Sequence, residues 1–267
     1  MNVKNLSYAL DLTCVAGHTL SMEEIYVVQN ALLILQGENH LDNIYFMGKL
    51  FGIEKDYYLA FGYRSDARIP HSFFYSNNQY DWFLLSEPSP CSLKLAPRVY
   101  QRFTGDPSQL IDWRDAGDSI NITGRGSVLK EEDRLSAVVY SLHKDCAIAP
   151  KGAFFVNVEG LMEINPTFQG LSLQQGTDAG WWEHTHRQDG ASSGDFLQNK
   201  VQEDVWSFRI RAQGSVSVLL HLEWLGLAAY HRLRTPEHGF VYFGDGLKFI
   251  NKKTSVKEKI QQEEKQI

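Results

Sequence analysis

The amino-acid sequence predicts an α+β fold, a single domain of predominantly antiparallel β-sheet with a few helices. Three observations support this class. Strand-like runs come in neighbouring pairs, two helical periodicities stand apart from them, and the C-terminal third alternates apolar and polar residues. Strands joined by short turns pair antiparallel, whereas a parallel sheet needs a long crossover between successive strands.

The first helix is predicted over residues 22–36. Ser21 and Glu24 have the spacing of a capping box, in which each side chain satisfies the other residue's backbone N–H. Four apolar residues then recur on one helical face, namely Ile25, Val28, Leu32 and Leu35. We expect Gly37 to end this helix.

Two strand pairs follow the first helix. Residues 44–51 and 57–63 are aromatic-rich runs separated by a short polar break, which predicts a β-hairpin. Residues 73–85 contain a second strand-like pair around Asn77 and Asn78. Prolines and glycines then interrupt every periodicity between residues 86 and 126, so we expect an irregular stretch with short helices inside it.

The second helix is predicted to begin near Glu131 and Glu132. Both acids suit the positive end of the helix dipole, and an apolar face follows at Leu135, Val138, Val139 and Leu142. A further strand pair is predicted over residues 146–164.

The C-terminal third predicts a four-stranded antiparallel meander over residues 206–243. Trp206, Phe208 and Ile210 alternate with polar residues, and the period of two continues beyond Gly214. We therefore place the domain at residues 1–251. In residues 252–267, 8 of 16 residues are charged, and this tail is predicted to be disordered or a lone helix that needs a partner.

The charge and cysteine content narrow the class of protein. The chain has 267 residues, with 26 Lys+Arg against 32 Asp+Glu and a formal charge of −6, which disfavours a general nucleic-acid or anionic-membrane binder. Cys14, Cys91 and Cys146 are too few and too far apart for a disulfide framework. We see no signal peptide or membrane span, so we expect a reducing, cytoplasmic compartment and neither nucleic acid nor membrane as a partner.

Two motifs near residue 190 have residue types that catalytic or metal sites use. Residues 190–194 match G-x-S-x-G, which would make Ser192 a nucleophile, but the polar residues 184–189 cannot form the buried strand that must precede it. A flexible loop is the favoured interpretation. His184 and His186, with carboxylates at Glu183 and Asp189, could chelate a metal, but no second ligand cluster stands out and exposed histidines are favoured.

Three further patterns have ordinary structural explanations. Gly124 and Gly126 lack the third glycine of a dinucleotide-binding loop, so turn glycines are favoured. The pair Glu131 and Glu132 could act in acid–base catalysis, but acids at a helix start are commoner. Four arginines interleaved with Trp206 and Tyr230 could form a nucleic-acid strip, and a solvated or protein-facing strand is favoured; they are Arg209, Arg211, Arg232 and Arg234. The residues therefore predict no catalytic, cofactor-binding or metal-binding site.

Several ordered blocks resemble the radial spoke head protein 9 family, over about residues 20–246. The C-terminal block includes Trp224, Gly226, Tyr230, His231, Arg234, Pro236, Gly239, Tyr242 and Gly244. The preceding blocks include Arg102, Phe103, Gly105, Asp106 and Pro107; Glu131, Glu132, Arg134 and Leu135; Pro150, Lys151, Gly152 and Ala153; and Asn165, Thr167, Phe168, Gly170, Leu171 and Ser172. The early hairpin matches at Phe46, Gly48, Leu50, Asp56, Tyr57 and Tyr58.

The resemblance implies a non-catalytic structural subunit of the radial spoke head in the 9+2 axoneme of cilia or flagella. It implies partners among the other head proteins, namely the 4 and 6 paralogues, protein 1 and further head subunits, and contact with the central pair projections that shapes beating. We expect the C-terminal strands to form the partner surface. The alternatives are a cytoplasmic adaptor of another complex and a serine hydrolase that uses Ser192.

Overall fold

The computed structural model describes residues 1–14, 17–64, 72–112, 128–185, 201 and 203–249. Five α-helices lie in this part of the chain: α1 (Leu6–Thr13), α2 (Met22–Glu38), α3 (Pro90–Leu95), α4 (Glu131–Cys146) and α5 (Leu173–Gly176). The first seven strands are β1 (Asn43–Leu50), β2 (Tyr57–Tyr63), β3 (Ser72–Ser76), β4 (Phe83–Leu84), β5 (Leu110–Asp112), β6 (Val128–Lys130) and β7 (Ile148–Pro150). The others are β8 (Phe154–Val156), β9 (Met162–Ile164), β10 (Trp182–His184), β11 (Trp206–Arg211), β12 (Val216–His221), β13 (Leu227–Arg232) and β14 (His238–Gly244).

An eight-stranded sheet forms the centre of the fold, in the order β11-β12-β13-β14-β1-β2-β3-β4. Its pairings are antiparallel except for β1 with β14, which run parallel. The predicted α+β class, the early hairpin, the second strand pair and the C-terminal meander are all confirmed. The parallel pairing joins the meander to the early hairpins, although the two lie at opposite ends of the sequence.

Helices cover both faces of this sheet. Helices α1 and α2 pack on one face, against residues such as Ala228 and Tyr230. Helix α4 packs on the other face, against Leu227 and Ala229. Successive side chains of a strand point to opposite faces, so a sheet buried on both sides needs nearly continuous apolar strands. This explains the apolar runs of β2, β13 and β14.

Gly48 makes the close approach of β1 to β14 possible. The pairing of β1 with β2 shifts register between Phe46 and Gly48, which is a β-bulge. Gly48 has a φ of 149°, and a Cβ there would lie 2.0 Å from the carbonyl oxygen of Tyr242. A side chain at this position would collide with the backbone of the neighbouring strand.

Helix α2 has the predicted start but a different end. The Ser21–Glu24 capping box is present, with both reciprocal hydrogen bonds. The prediction that Gly37 ends the helix is wrong, because the helix continues to Glu38 and Asn39 is its C-cap. The left-handed residue is His40, at φ 53°, and Asn39 Nδ2 donates to the Leu35 carbonyl at 3.1 Å. The left-handed residue that follows the helix is therefore three residues after Gly37, the residue predicted to end it.

The strand pair expected over residues 146–164 is confirmed in part. Strands β8 and β9 pair with each other there, but β7 pairs with the more distant β10. Helix α4 begins at Glu131 as predicted. Among the described residues, no helix is both long and apolar enough to cross a bilayer.

Candidate interaction surfaces

Several residues considered as chemical sites lie outside the described part of the chain. These are Ser192 with its flanking glycines, His186, Asp189, Gly124 and Gly126. The tail at residues 252–267 also lies outside it.

The remaining members of the metal-site hypothesis lie on β10. Glu183 is buried, and its carboxylate faces Lys151 at 3.8 Å between Oε1 and Nζ. Burial raises the pKa of Glu183, while Lys151 opposes that shift. In the ranges that the structure describes, no group of three or more His, Cys, Asp or Glu side chains is placed to hold a metal ion.

The paired acids at the start of α4 hold a loop. Glu131 is 1% exposed, and its carboxylate accepts hydrogen bonds from the Gly105 N–H at 2.8 Å and the Tyr57 hydroxyl at 2.8 Å. It also accepts from both the N–H and the hydroxyl of Thr104. Glu132 accepts a hydrogen bond from the Tyr75 hydroxyl at 3.2 Å. A carboxylate with this many donors suits a structural role better than proton transfer.

Arg134 belongs to the same cluster, although no catalytic or metal-site motif in the sequence includes it. It is fully buried, and Nη2 donates to the carbonyls of Val99 at 3.0 Å and Gln101 at 2.6 Å. Its guanidinium carbon lies 4.1 Å from the ring centroid of Phe103. In the sequence, Arg134 lies one turn after Glu131 on an otherwise apolar helix face. This spacing indicates a buried charged cluster.

The arginines of the C-terminal strands lie beside aromatic rings that are buried. Trp206 and Tyr230 are 4% and 5% exposed, so neither ring is available to stack on bases. Arg232 pairs with Glu237, with 3.3 Å between Nη1 and Oε2. Arg209 and Arg211 are exposed on β11, the edge strand of the sheet.

The blocks that matched the family contact one another in the fold. His231 Nε2 accepts from the Leu171 N–H at 2.9 Å, and the Arg234 N–H donates to the Leu171 carbonyl at 3.0 Å. Gly170 has a φ of 88° and packs so closely on Thr235 that a Cβ would lie 2.3 Å from its carbonyl oxygen. The 165–172 block is therefore fitted to the turn after β13.

A second such contact joins the C-terminal block to α4. Trp224 Nε1 donates to Asp145 Oδ2 at 2.8 Å, and Lys248 Nζ lies 2.8 Å from the same oxygen. These contacts bring residues that are far apart in the sequence together in the fold, and we call the packed blocks the framework.

A further apolar surface lies outside this framework, on α2. Its inner face is buried at Ile25, Val28, Leu32 and Leu35. Its outer face also has large apolar side chains, with Tyr26 71% and Ile34 62% exposed. The apolar periodicity in the sequence predicts only the inner face, because the core-facing residues recur at regular helical spacing.

A groove runs between this outer face and the sheet edge, and we call it the α2–β4 groove. Its volume is about 620 Å³. One wall consists of α2 residues from Tyr26 to Glu38, and the other consists of Tyr80, Asp81, Trp82 and Phe83, at and before β4. Tyr80 and Phe83 are 68% and 50% exposed.

Comparisons with known proteins agree with the resemblance. A family model described as "Radial spokehead-like protein" matches residues 1–67. The chain is 31% identical over 268 residues to the radial spoke head protein 9 homolog of Danio rerio, covering 92% of this chain and 97% of the relative. It is 29% identical to the radial spoke head protein 9 homolog of Homo sapiens, covering 93% of this chain and 97% of that protein.

An identity of 31% across nearly the whole of both chains extends the match well beyond the N-terminal residues of the family model. On these grounds, the chain belongs to the radial spoke head protein 9 family.

Proposed function

We propose that this chain is a structural, non-catalytic subunit of the radial spoke head in the axoneme of motile cilia or flagella. The single observation that supports this most strongly is the 31% identity to a radial spoke head protein 9 homolog over 92% of the chain. The position of Glu131 is consistent with this proposal. This member of the acid pair considered for acid–base catalysis is buried and accepts hydrogen bonds from a loop.

The proposal includes specific partners. The chain contacts the 4 and 6 paralogues, protein 1 and further head subunits, and it contributes to contact with the central pair projections and so to regulation of the beat. A subunit of a permanent assembly needs a rigid scaffold and extended complementary surfaces. The sheet, buried on both faces, provides the scaffold. The expectation that the C-terminal strands form the partner surface stays a prediction, and β11 is the member of that group at the sheet edge.

A null strain provides the main test. Axonemes purified from it are expected to have incomplete spoke heads and abnormal beating, and both defects should be restored by the full chain. Complete heads with normal motility would contradict the proposal. A pull-down from salt-extracted axonemes, identified by mass spectrometry, should recover the other head proteins.

Two measurements separate the alternatives. A tagged chain that locates along the axoneme supports the spoke head, whereas diffuse cytosolic signal supports an adaptor of another complex. Labelling of Ser192 in the folded protein by an active-site serine probe would support the hydrolase, and we expect no labelling.

A further inference from the structure

We propose that the α2–β4 groove is the docking site for an amphipathic helix of a neighbouring protein subunit, whose apolar stripe is flanked by lysine or arginine. The inference rests on the proposed function, because it concerns a partner within a permanent assembly. It deepens that function by assigning one interface and the chemistry of the segment that fills it.

The apolar character of the groove supplies the first argument. Tyr26 and Ile34 on α2 face Tyr80 and Phe83 across it, and all four are at least half exposed. A helix that is apolar on two faces is typical of helices covered on both sides. A contiguous exposed apolar surface of this kind marks an interaction site in a folded protein.

The shape of the groove favours a helix as its occupant. The α2 wall extends from Tyr26 to Glu38, which at the helical rise corresponds to about 18 Å, or three turns of a partner helix. An extended segment would gain its affinity by pairing with β4, but that strand is two residues long. Few ladder hydrogen bonds are available there, so packing of side chains must supply the binding energy.

The charge of the groove specifies the flanks of that helix. Among the described residues that line it, Glu38 and Asp81 are the charged ones, and both are acidic and exposed. Glu23 is also exposed, one turn before Tyr26. Rim charges of one sign favour a partner of the opposite sign and disfavour one of the same sign.

Photo-cross-linking in axonemes tests the inference with the full chain. A null strain is complemented with the chain bearing a photoreactive phenylalanine analogue at Ile34, and cross-linked peptides are identified by mass spectrometry. We expect a cross-link to a helical segment with an apolar stripe and lysine or arginine flanks. The charge-reversed variant Glu38→Lys/Asp81→Lys should reduce its yield by about tenfold.

A matched pair of variants tests the apolar wall. Tyr26→Asp/Ile34→Asp should lower occupancy in the spoke head by about tenfold or more. Tyr100→Asp/Val158→Asp replaces another exposed tyrosine and another exposed aliphatic residue, at positions 75% and 104% exposed. This control should assemble normally, and circular dichroism should show that both proteins are folded.

The outcomes distinguish failure of the proposed function from failure of the docking-site inference. If the unmodified chain is not found in spoke heads, the proposed function fails, and the inference fails with it. If the chain assembles but Ile34 cross-links to a second copy, to a segment without basic residues or to nothing, only the inference is overturned. Equal assembly of the groove variant and its control would overturn it as well.

Discussion

At the scale of single residues, Glu131 shows how a carboxylate can stabilise a fold without chemistry. Removing its charge leaves the N–H groups of Thr104 and Gly105 facing a weaker acceptor in a buried site. We expect Glu131→Gln to lower the free energy of unfolding by about 2–3 kcal/mol. Urea denaturation measures this, with Glu132→Gln as the neighbouring control. Equal effects of the two substitutions would contradict a special role for Glu131.

Trp224 and Tyr242 are large buried aromatic residues of the C-terminal block. They are 3% and 1% exposed, and their ring centroids lie 6.0 Å apart at an interplanar angle of 87°. Replacing either with alanine should destabilise the domain by about 3–5 kcal/mol, since a cavity replaces a large buried ring. Thermal unfolding of the variants checks this. Tyr100→Ala, at an exposed position, should change stability by less than about 0.5 kcal/mol.

At the scale of elements, two glycines offer opposite expectations. Gly48→Ala places a methyl group against the Tyr242 carbonyl and should separate β1 from β14, so we expect a loss of more than about 3 kcal/mol or failure to fold. Gly37→Ala adds a methyl group to a helix surface with space around it and should stabilise the isolated chain by about 0.5–1 kcal/mol. Chemical denaturation of both variants decides the matter. Similar effects at the two sites would show that the bulge is not required.

Helix α1 is an element that the sequence patterns do not predict. Helix α1 buries Leu6, Ala9, Leu10 and Thr13, a helical periodicity that is present in the sequence. It is short, and Asn5 makes no side-chain capping hydrogen bond. Without a start signal, eight residues are too few for the periodicity to stand out, and packing against the sheet supplies the stability that the isolated helix lacks.

At the scale of the whole molecule, two buried histidines make stability depend on pH. His221 accepts from the backbone N–H groups of Glu223 and Trp224, and His231 from that of Leu171. Burial lowers the pKa of each to about 4, from 6.5. Between pH 6.5 and about 4, these histidines are protonated in the unfolded chain but remain neutral in the folded chain. The free energy of unfolding therefore falls as the pH drops towards 4.

The expected slope is about 1.4 kcal/mol per histidine for each pH unit in that window. Denaturation between pH 7.5 and 4.5 measures it. His221→Gln should reduce the slope relative to that of the unchanged chain. Constant stability across the window would contradict the prediction. Hydrogen bonds from Tyr58, Lys49 and Ser21 lower the pKa of Glu24 to about 2 despite its partial burial, so its contribution to stability is lost only below about pH 4.5, where the unfolded chain takes up the proton first.

The predicted division into a domain at residues 1–251 and a tail at residues 252–267 is tested by truncation. A chain that ends at Asn251 is expected to fold and to enter the spoke head as the full chain does, since the family blocks end before that point. Rescue of a null strain with each version compares them. A folded truncated chain that fails to assemble would show that the tail contributes to the interface.

The sequence by itself determined the local features of this protein. Alternation and short turns predicted the hairpins and the meander, and the acids before an apolar face predicted the start of α4, because neighbours along the chain decide these elements. It also determined the family, through ordered blocks. Tertiary structure alone decided the parallel contact of β1 with β14, the pairing of β7 with β10 and the use of Glu131 and Arg134 to hold a loop. Each of these contacts joins segments that are far apart in the chain. A local pattern of apolar residues does not show which distant backbone groups will form hydrogen bonds with a buried polar group.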